Sequence, residues 1–389
     1  MLDFCELCGR DGLILAYAPE HSTRGISVHL CPACGLVQSL PRIDRAPRAV
    51  AAVSCGADWG NVRYGKGFRT AIALDAVKRY GGLGYFTLLD VGSNRGRFLA
   101  AVKNSFPAAT LVAVEPDERV AEAAAAVAEL HSCRIEDIDL EAGRFDIVHS
   151  CHTIEHLAHP MRVLKDHARV LKDGGLLILD APNIAIIGSD DIVEEWFIDK
   201  HLYHFSANTL TRMVEAAGFE ILEAPDPSDL ANLFIVAKKR AAAAAQAQPL
   251  AAEPAEADAA RDLVDRYRHI RLGNIQALTA VATELNTLAT KGIAIWGAGR
   301  IFDSLIVHGG FDPSTLSSLI DTHLKAHMAE RHGFPLSGPE ALAASQPGVV
   351  VVMSRGFADE IVAEAKILAP GADVLVFAEL LGRAKRPAA

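Results

Sequence analysis

Four cysteines near the start of the chain stand in two pairs, Cys5-Glu-Leu-Cys8-Gly and Cys31-Pro-Ala-Cys34-Gly, with 22 residues between them. Two such turns can present four thiolates to one zinc ion in a tetrahedron. The glycine after each second cysteine lets the turn close so that backbone amides face sulfur. Four thiolates leave no open coordination position, so the zinc expected at Cys5, Cys8, Cys31 and Cys34 is structural. His21 and His29, between the pairs, are read as surface or packing residues.

The second stretch able to do chemistry runs from Tyr85 to Asp117. The apolar run Phe86 to Val91 leads into Asp90-Val-Gly92-Ser93-Asn94-Arg-Gly96, and a second apolar run, Leu111 to Val114, ends in Glu115. The order is strand, glycine turn, helix, strand. Glycines let the backbone approach a ligand at the carboxyl end of a parallel strand, and an acid at the tip of the next strand can accept both hydroxyl protons of a ribose. Asn94 stands where a left-handed backbone is needed, which asparagine tolerates better than most residues. The acid-led spacing differs from Gly-x-Gly-x-x-Gly, which seats a pyrophosphate on a helix N-terminus.

A third group follows the apolar strand Phe145 to Ser150: His152, Glu155 and His156. His152 and His156 are four apart and would share one face of a helical turn, as metal ligands do. The order is not His-Glu-x-x-His and no distant acid is marked out, so His152 is read as a pocket lining, and Glu155 and His156 as packing or hydrogen-bonding residues.

The elements that must position these groups are legible from periodicity and punctuation. A helix is expected over Arg69 to Tyr80, another over Asp117 to Leu130, and a third from Pro160 to Lys172, closed by the turn Asp173-Gly174-Gly175 before a strand Leu176 to Asp180. Trp59 and Tyr64 are assigned to a domain junction. Ser206 caps a helix Ala207 to Ala217, and strands Glu220 to Ala224 and Leu233 to Ala237 complete a seven-stranded sheet. The expected organisation is a zinc-binding module at 1–45, an α/β domain at 62–240, an Ala, Gln and Pro-rich linker at 241–257, a connecting helix at 258–290 and a second α/β domain at 291–382. That last domain has the turn Gly297-Ala-Gly299-Arg300 and strands over Ile293 to Trp296, Leu316 to Ile320, Val349 to Met353 and Val374 to Phe377. It lacks a third glycine, so a catalytic dinucleotide role is not expected.

The pattern Asp-x-Gly-x-Asn-x-Gly followed by an acid after the next strand resembles motif I of class I methyltransferases, which bind S-adenosylmethionine. The resemblance implies a Rossmann-like core in which Asp90 and the turn Gly92, Ser93, Asn94 and Gly96 hold the amino-acid part of the cofactor. Glu115, beside Pro116, takes the ribose, and Ile135 and Glu136 hold the adenine. Ser150 and His152 border the sulfonium and the acceptor. The wider order, zinc knuckles, methyltransferase core with a His-Leu-x-x-Phe-Ser loop at His201, then a small Rossmann-like domain, resembles the sugar C-methyltransferases of deoxysugar biosynthesis. Those enzymes methylate a nucleotide-linked keto-sugar beside its carbonyl, which requires a base, donors for the enolate oxygen and alignment with the methyl group. His201 matches the family's base in Tyr-x-Glu-His. Here Ile198 and Lys200 stand in place of its Tyr and Glu, and Tyr203 and His204 are the groups offered instead. The resemblance also offers Arg300, Asp321 and His323 as contacts for a nucleotide diphosphate. The departure keeps O-methylation of a saccharide open as the alternative, and an RNA-binding or RNA-modifying zinc protein as a third reading.

Composition narrows the partners. The formal charge of −10 disfavours nucleic acid, which needs a basic surface. No apolar stretch reaches membrane length and the start lacks signal-peptide character, so a cytoplasmic protein without a membrane partner is expected, as monomer or homodimer. Seven cysteines, four of them paired at close spacing, suit metal ligation in a reducing compartment better than a disulfide framework.

Overall fold

The computed structural model describes residues 4–20, 22, 24–41, 68–82, 84–241, 254–326 and 328–386. His21, Trp59, Tyr64 and most of the expected linker lie outside them. The chain divides into two compact units. The first holds the cysteine pairs and the motif I turn, and the second takes in 188–196 and the chain from Arg266.

In the first unit, β1 (Ile14–Tyr17), β2 (Ser27–Leu30) and β3 (Val37–Leu40) form an antiparallel meander. Leu30, Leu36 and Val37 are buried, so the meander packs an apolar face although it is too short to be stable alone.

The larger sheet follows from repeated strand and crossover helix. Helix α1 (Phe68–Tyr80) leads to β4 (Thr87–Val91), α2 (Arg97–Ser105), β5 (Thr110–Val114), α3 (Glu118–Ala125) and β6 (Glu129–His131). After β7 (Phe145–Cys151) come α4 (Pro160–Val170) and β8 (Leu171–Pro182). A two-residue strand, β9 (Tyr203–His204), precedes α5 (Ala207–Ala216), β10 (Phe219–Glu223) and β11 (Asn232–Lys239). Among the described residues the sheet has seven strands in the order β10-β11-β8-β7-β4-β5-β6, parallel except where β11 pairs with β8 and β10. Its central strands are near-continuous apolar runs because helices cover both faces. The order reverses between β4 and β7, so the carboxyl ends of β4 and β7 flank a crevice where ligands of such sheets bind.

Three expected elements shift. The helix read through to Leu130 stops at Ala125, because Leu130 pairs with Ala113 as part of β6. The helix read to Lys172 ends at Val170; its partner strand begins at Leu171 and is offset across the Gly174 turn before regular pairing resumes at Leu176. Ser206 does cap α5, in a reciprocal box with Thr209.

Helix α6 (Pro254–Leu288) starts four residues before its expected onset at Asp258. It is followed in the second unit by β12 (Ile293–Trp296), α7 (Arg300–Val307), β13 (Leu316–Ile320), β14 (Glu330–Arg331), β15 (Phe334–Ser337), β16 (Val349–Val352) and β17 (Asp373–Val376). These strands form a second sheet, β14-β15-β13-β12-β16-β17, mostly parallel. Phe377, read as strand, opens a helix instead. At the glycine turn of this second unit, Asp321 accepts from the amides of Ala298, His323 and Leu324 at 2.9–3.1 Å, and Arg300 donates to the Glu195 carbonyl. Residues 188–196 are secured here by Arg355, which grips Glu194 at 2.6 and 2.8 Å and Asp191 at 2.6 Å. No helix among the described residues is long and apolar enough to cross a membrane.

Burial of histidine gives the fold an acid limit. His167, on α4, is 3% exposed, and desolvation lowers its pKa from 6.5 to about 4. A histidine depressed in the fold contributes nothing above pH 6.5, where both states are neutral. Below it the unfolded chain binds the proton first, so stability falls until the folded pKa is reached. This should amount to about 3 kcal/mol from His167 by pH 4, at about 1.4 kcal/mol per pH unit. Chemical denaturation from pH 7 to the acid side should show the slope, and His167→Leu should flatten it; an equal slope in the variant would refute the assignment.

Candidate active site

The turn after β4 is held by two amides, Gly92 and Ser93, which donate to the Val114 carbonyl at 2.9 and 3.3 Å. Gly92 and Gly96 have φ of +75° and +67°. A side chain at Gly92 would put Cβ 2.1 Å from Thr153 Oγ1, and one at Gly96 would put it 2.8 Å from the Ala124 Cα. Both positions therefore require glycine for space as well as for φ. Asn94, at φ +48°, takes the left-handed conformation its type allows.

Glu115 is 8% exposed and accepts from the amides of Asn94 and Asp117 at 2.8 and 2.9 Å. Burial raises its pKa while the two amides pull it back. Each oxygen receives one amide and retains capacity for a sugar hydroxyl. The buried Ser93 hydroxyl has no hydrogen-bond partner among the described residues. A glycine cradle, an orphaned hydroxyl and a held carboxylate fit a bound nucleoside. Ser150 lies opposite Val91 at the end of β7, Ile135 and Glu136 sit half-buried on a short 3₁₀ turn, and Pro116 is exposed.

Asp90, one residue before the end of β4, acts electrostatically on Glu115 and also has a partner within the sheet. Its carboxylate is 2.7 Å from His149 Nδ1 inside the sheet, and His149 packs on Phe98. The leading acid thus fixes the strand end beside the turn and Glu115. Glu115→Ala should weaken binding of S-adenosylhomocysteine by about 1–3 kcal/mol, the cost of leaving buried polar groups unpaired. Unchanged affinity by titration calorimetry would remove Glu115 from the ribose.

Beside it lies a second polar group that sequence reading assembled only in part. His152, at φ +48°, donates its amide to the Asp180 carbonyl at 2.8 Å, and its ring is 3.5 Å from Glu155 and 4.0 Å from Asp180. Arg69 from α1 reaches Asn232 at 2.5 Å and Asp180 at 3.6 Å. Glu155 is 1% exposed, and burial pushes its pKa up to about 8. Asp180 shifts in the same direction for the same reason, with Arg69 opposing. Arg69, Asp180 and Asn232 were not picked out from the sequence; the one available signal was an acid ending the apolar run of β8, as Asp90 ends β4.

His201 joins this group across 45 residues. Its ring is 4.9 Å from that of His156, and burial, with His156 and Lys200 nearby, holds it neutral. The segment is fixed from both sides: Leu202 donates to the Glu155 carbonyl and accepts from Ser39, each at 2.8 Å. Tyr203 and His204, offered as substitutes for the missing Tyr and Glu, are not available for that task. They form β9, which pairs with Gln38 and Val37. The Tyr203 hydroxyl donates to the Ala158 carbonyl at 2.8 Å, and His204 Nε2 meets Ser39 Oγ at 3.0 Å, both residues being 2–3% exposed. Alternation along the strand and the small sheet bury them.

The four cysteines converge as their spacing suggests. Cys5 and Cys34 sulfurs are 3.3 Å apart, Cys8 and Cys31 3.6 Å, and all four fall within 4.8 Å of one another. Thiolates around zinc at about 2.3 Å stand about 3.8 Å apart, so the cluster fits that ion after slight expansion. Gly9 and Gly35 have φ of +71° and +73° and donate to the Cys5 and Cys31 carbonyls, closing each knuckle.

A family model described as "Methyltransferase domain" matches residues 45–224. Among curated proteins no similar sequence is found. Solved structures share part of the chain. The [4+2]-cyclase SpnF is 16% identical over 46% of this chain and 84% of its own, with a TM-score of 0.39. An S-adenosylmethionine-dependent methyltransferase from Mesorhizobium loti is 14% identical over 42% and 96%, with a TM-score of 0.35. One from Aquifex aeolicus is 17% identical over 42% and 88%, also with a TM-score of 0.35. The family match, rather than these partial likenesses, carries the assignment. With the glycine cradle and Glu115 at the switch point of the sheet, residues 45–224 form a methyltransferase domain, and the chain is a methyltransferase.

Proposed function

We propose that the acceptor is a small molecule, a nucleotide-linked sugar, and that its methylation is assisted by His201 as base, in a cytoplasmic monomer or homodimer. The cofactor, when bound, supplies an electrophilic methyl group. The residues do the rest. Glu115 accepts the ribose hydroxyls, the Gly92 to Gly96 turn lies against the amino-acid part, and Ile135 and Glu136 flank the adenine. The observation that carries the reading is the fixing of His201 beside His152 and Glu155, where two strand-like hydrogen bonds of Leu202 hold the imidazole at a defined point. Cys5, Cys8, Cys31 and Cys34 hold a structural zinc in this reading.

Methyl transfer to oxygen is the second reading, favoured by a specific observation. Ile198 and Lys200 replace the assisting Tyr and Glu of the C-methylating relatives, and Tyr203 and His204 are buried in β9 with partners of their own. Enolate formation needs those extra donors, whereas a hydroxyl does not. Incubation with methyl-labelled cofactor and a panel of nucleotide-linked keto- and hydroxy-sugars, followed by carbon NMR, decides it. Label on carbon or oxygen separates the two readings, and transfer to no sugar overturns both.

A further inference from the structure

We infer that Glu155, His156 and His201 form a binding site for a divalent cation, with His152 at its rim, which holds and acidifies an acceptor hydroxyl. This deepens the oxygen-methylation reading and rests on it for the acceptor, though not for the cation. One ligand atom from each of the three residues lies within 4.8 Å of the others, and two imidazoles with one carboxylate form a common donor set for divalent transition metals.

Glu155 supplies the second, independent observation. It is 1% exposed, yet neither carboxylate oxygen has a hydrogen-bond partner among the described residues. A buried acid is rarely left so, because the desolvation of its oxygens is then uncompensated. Two histidine nitrogens face it, His152 Nδ1 at 3.5 Å and His156 Nε2 at 3.7 Å. Both are longer than a hydrogen bond of roughly 2.7–3.2 Å. They approach the spacing of two atoms that share a cation at about 2.1 Å, which stand about 3.0–3.4 Å apart.

The tautomer agrees. His156 Nδ1 is 2.8 Å from the Lys200 carbonyl, an acceptor only, so Nδ1 carries the proton and Nε2 presents its lone pair toward Glu155. A second ring nitrogen anchored to a carbonyl is the usual support of a metal-ligating histidine. Two positive groups act on Glu155 through space: Arg69, hydrogen-bonded to Asn232 and 3.6 Å from Asp180, and Lys200, an exposed residue.

With a cation there, His201 acts as ligand instead of free base. The acceptor hydroxyl releases its proton to solvent water, and its electron pair forms the new carbon–oxygen bond. The sulfur–carbon pair returns to sulfur, leaving a neutral thioether. The mixed donor set suits a borderline ion such as Mn²⁺ or Co²⁺ better than Mg²⁺ or Ca²⁺.

The test titrates Mn²⁺ alone into the full-length, zinc-loaded protein and follows the free ion by electron paramagnetic resonance. The expected result is one saturable equivalent, with affinity reduced about tenfold or more in both Glu155→Gln and His201→Ala. Binding of S-adenosylhomocysteine, unchanged in both variants, shows that each is folded. Absence of saturable uptake, or uptake equal in wild type and both variants, overturns the inference. Because neither acceptor nor turnover enters the measurement, Mn²⁺ uptake can stand while the sugar panel fails, and the reverse.

Discussion

Replacing Cys34 by serine is expected to release zinc and to lower the thermal stability of the first unit by at least about 3 kcal/mol, a fraction of the 10–16 kcal/mol that a structural zinc site can supply. The cost is large because the small sheet has little else. β1 to β3 are four residues each, and Cys5, Cys31 and Cys34 are fully buried members of the main core, so a lost metal leaves thiols without partners inside it. The Cys34 carbonyl also accepts from Arg212 on α5 at 2.8 Å, with Glu256 2.6 Å from the same guanidinium nitrogen. Metal analysis and thermal unfolding of the variant read the effect, and Cys133→Ser, a cysteine outside the cluster, should keep both values. Wild-type protein that carries no zinc would end the proposal.

His201→Ala is expected to lower kcat by about 10²–10⁴-fold, the range for loss of a group that activates the acceptor, whether as base or as ligand of a bound cation. Affinity for S-adenosylhomocysteine should stay within about twofold, since Glu115 and the turn at Gly92 lie on other elements and share no hydrogen bond with His201. Binding and single-turnover assays separate the two quantities. Normal turnover would take His201 out of the chemistry, and a parallel loss of cofactor affinity would make its role structural.

The strands that could be read beforehand were mostly those whose apolar runs reflect burial on both faces, β4, β5, β7, β8, β11, β12, β13 and β16, together with the edge strands β10 and β17. Those that escaped are short and defined by their partners: β1, β2, β3 and β15 are four residues long, β6 three, and β9 and β14 two each. The helix-forming run before Leu130 carries no local stop signal, and tertiary pairing with β5 ended it. The motif I turn was legible because each glycine answers to a local backbone demand. The partner of Asp90 was not legible, because only the structure reveals the histidine on the neighbouring strand. The group around Glu155 was half-visible. His152, Glu155 and His156 are adjacent in sequence, but the residue that completes them sits 45 positions on, in a loop whose course depends on β3.

That dependence makes β9 more than a fourth strand. Its two residues belong to the methyltransferase core by sequence and to the cysteine sheet by pairing, and Leu202 is hydrogen-bonded to Ser39 on one side and to Glu155 on the other. If zinc at the cysteine cluster orders the small sheet, its occupancy and the position of His201 are linked equilibria. By reciprocity, any ligand seated against the Glu155 to His201 segment raises zinc affinity by the same factor as zinc raises its own. Zinc content would thus report on the acceptor end of the site.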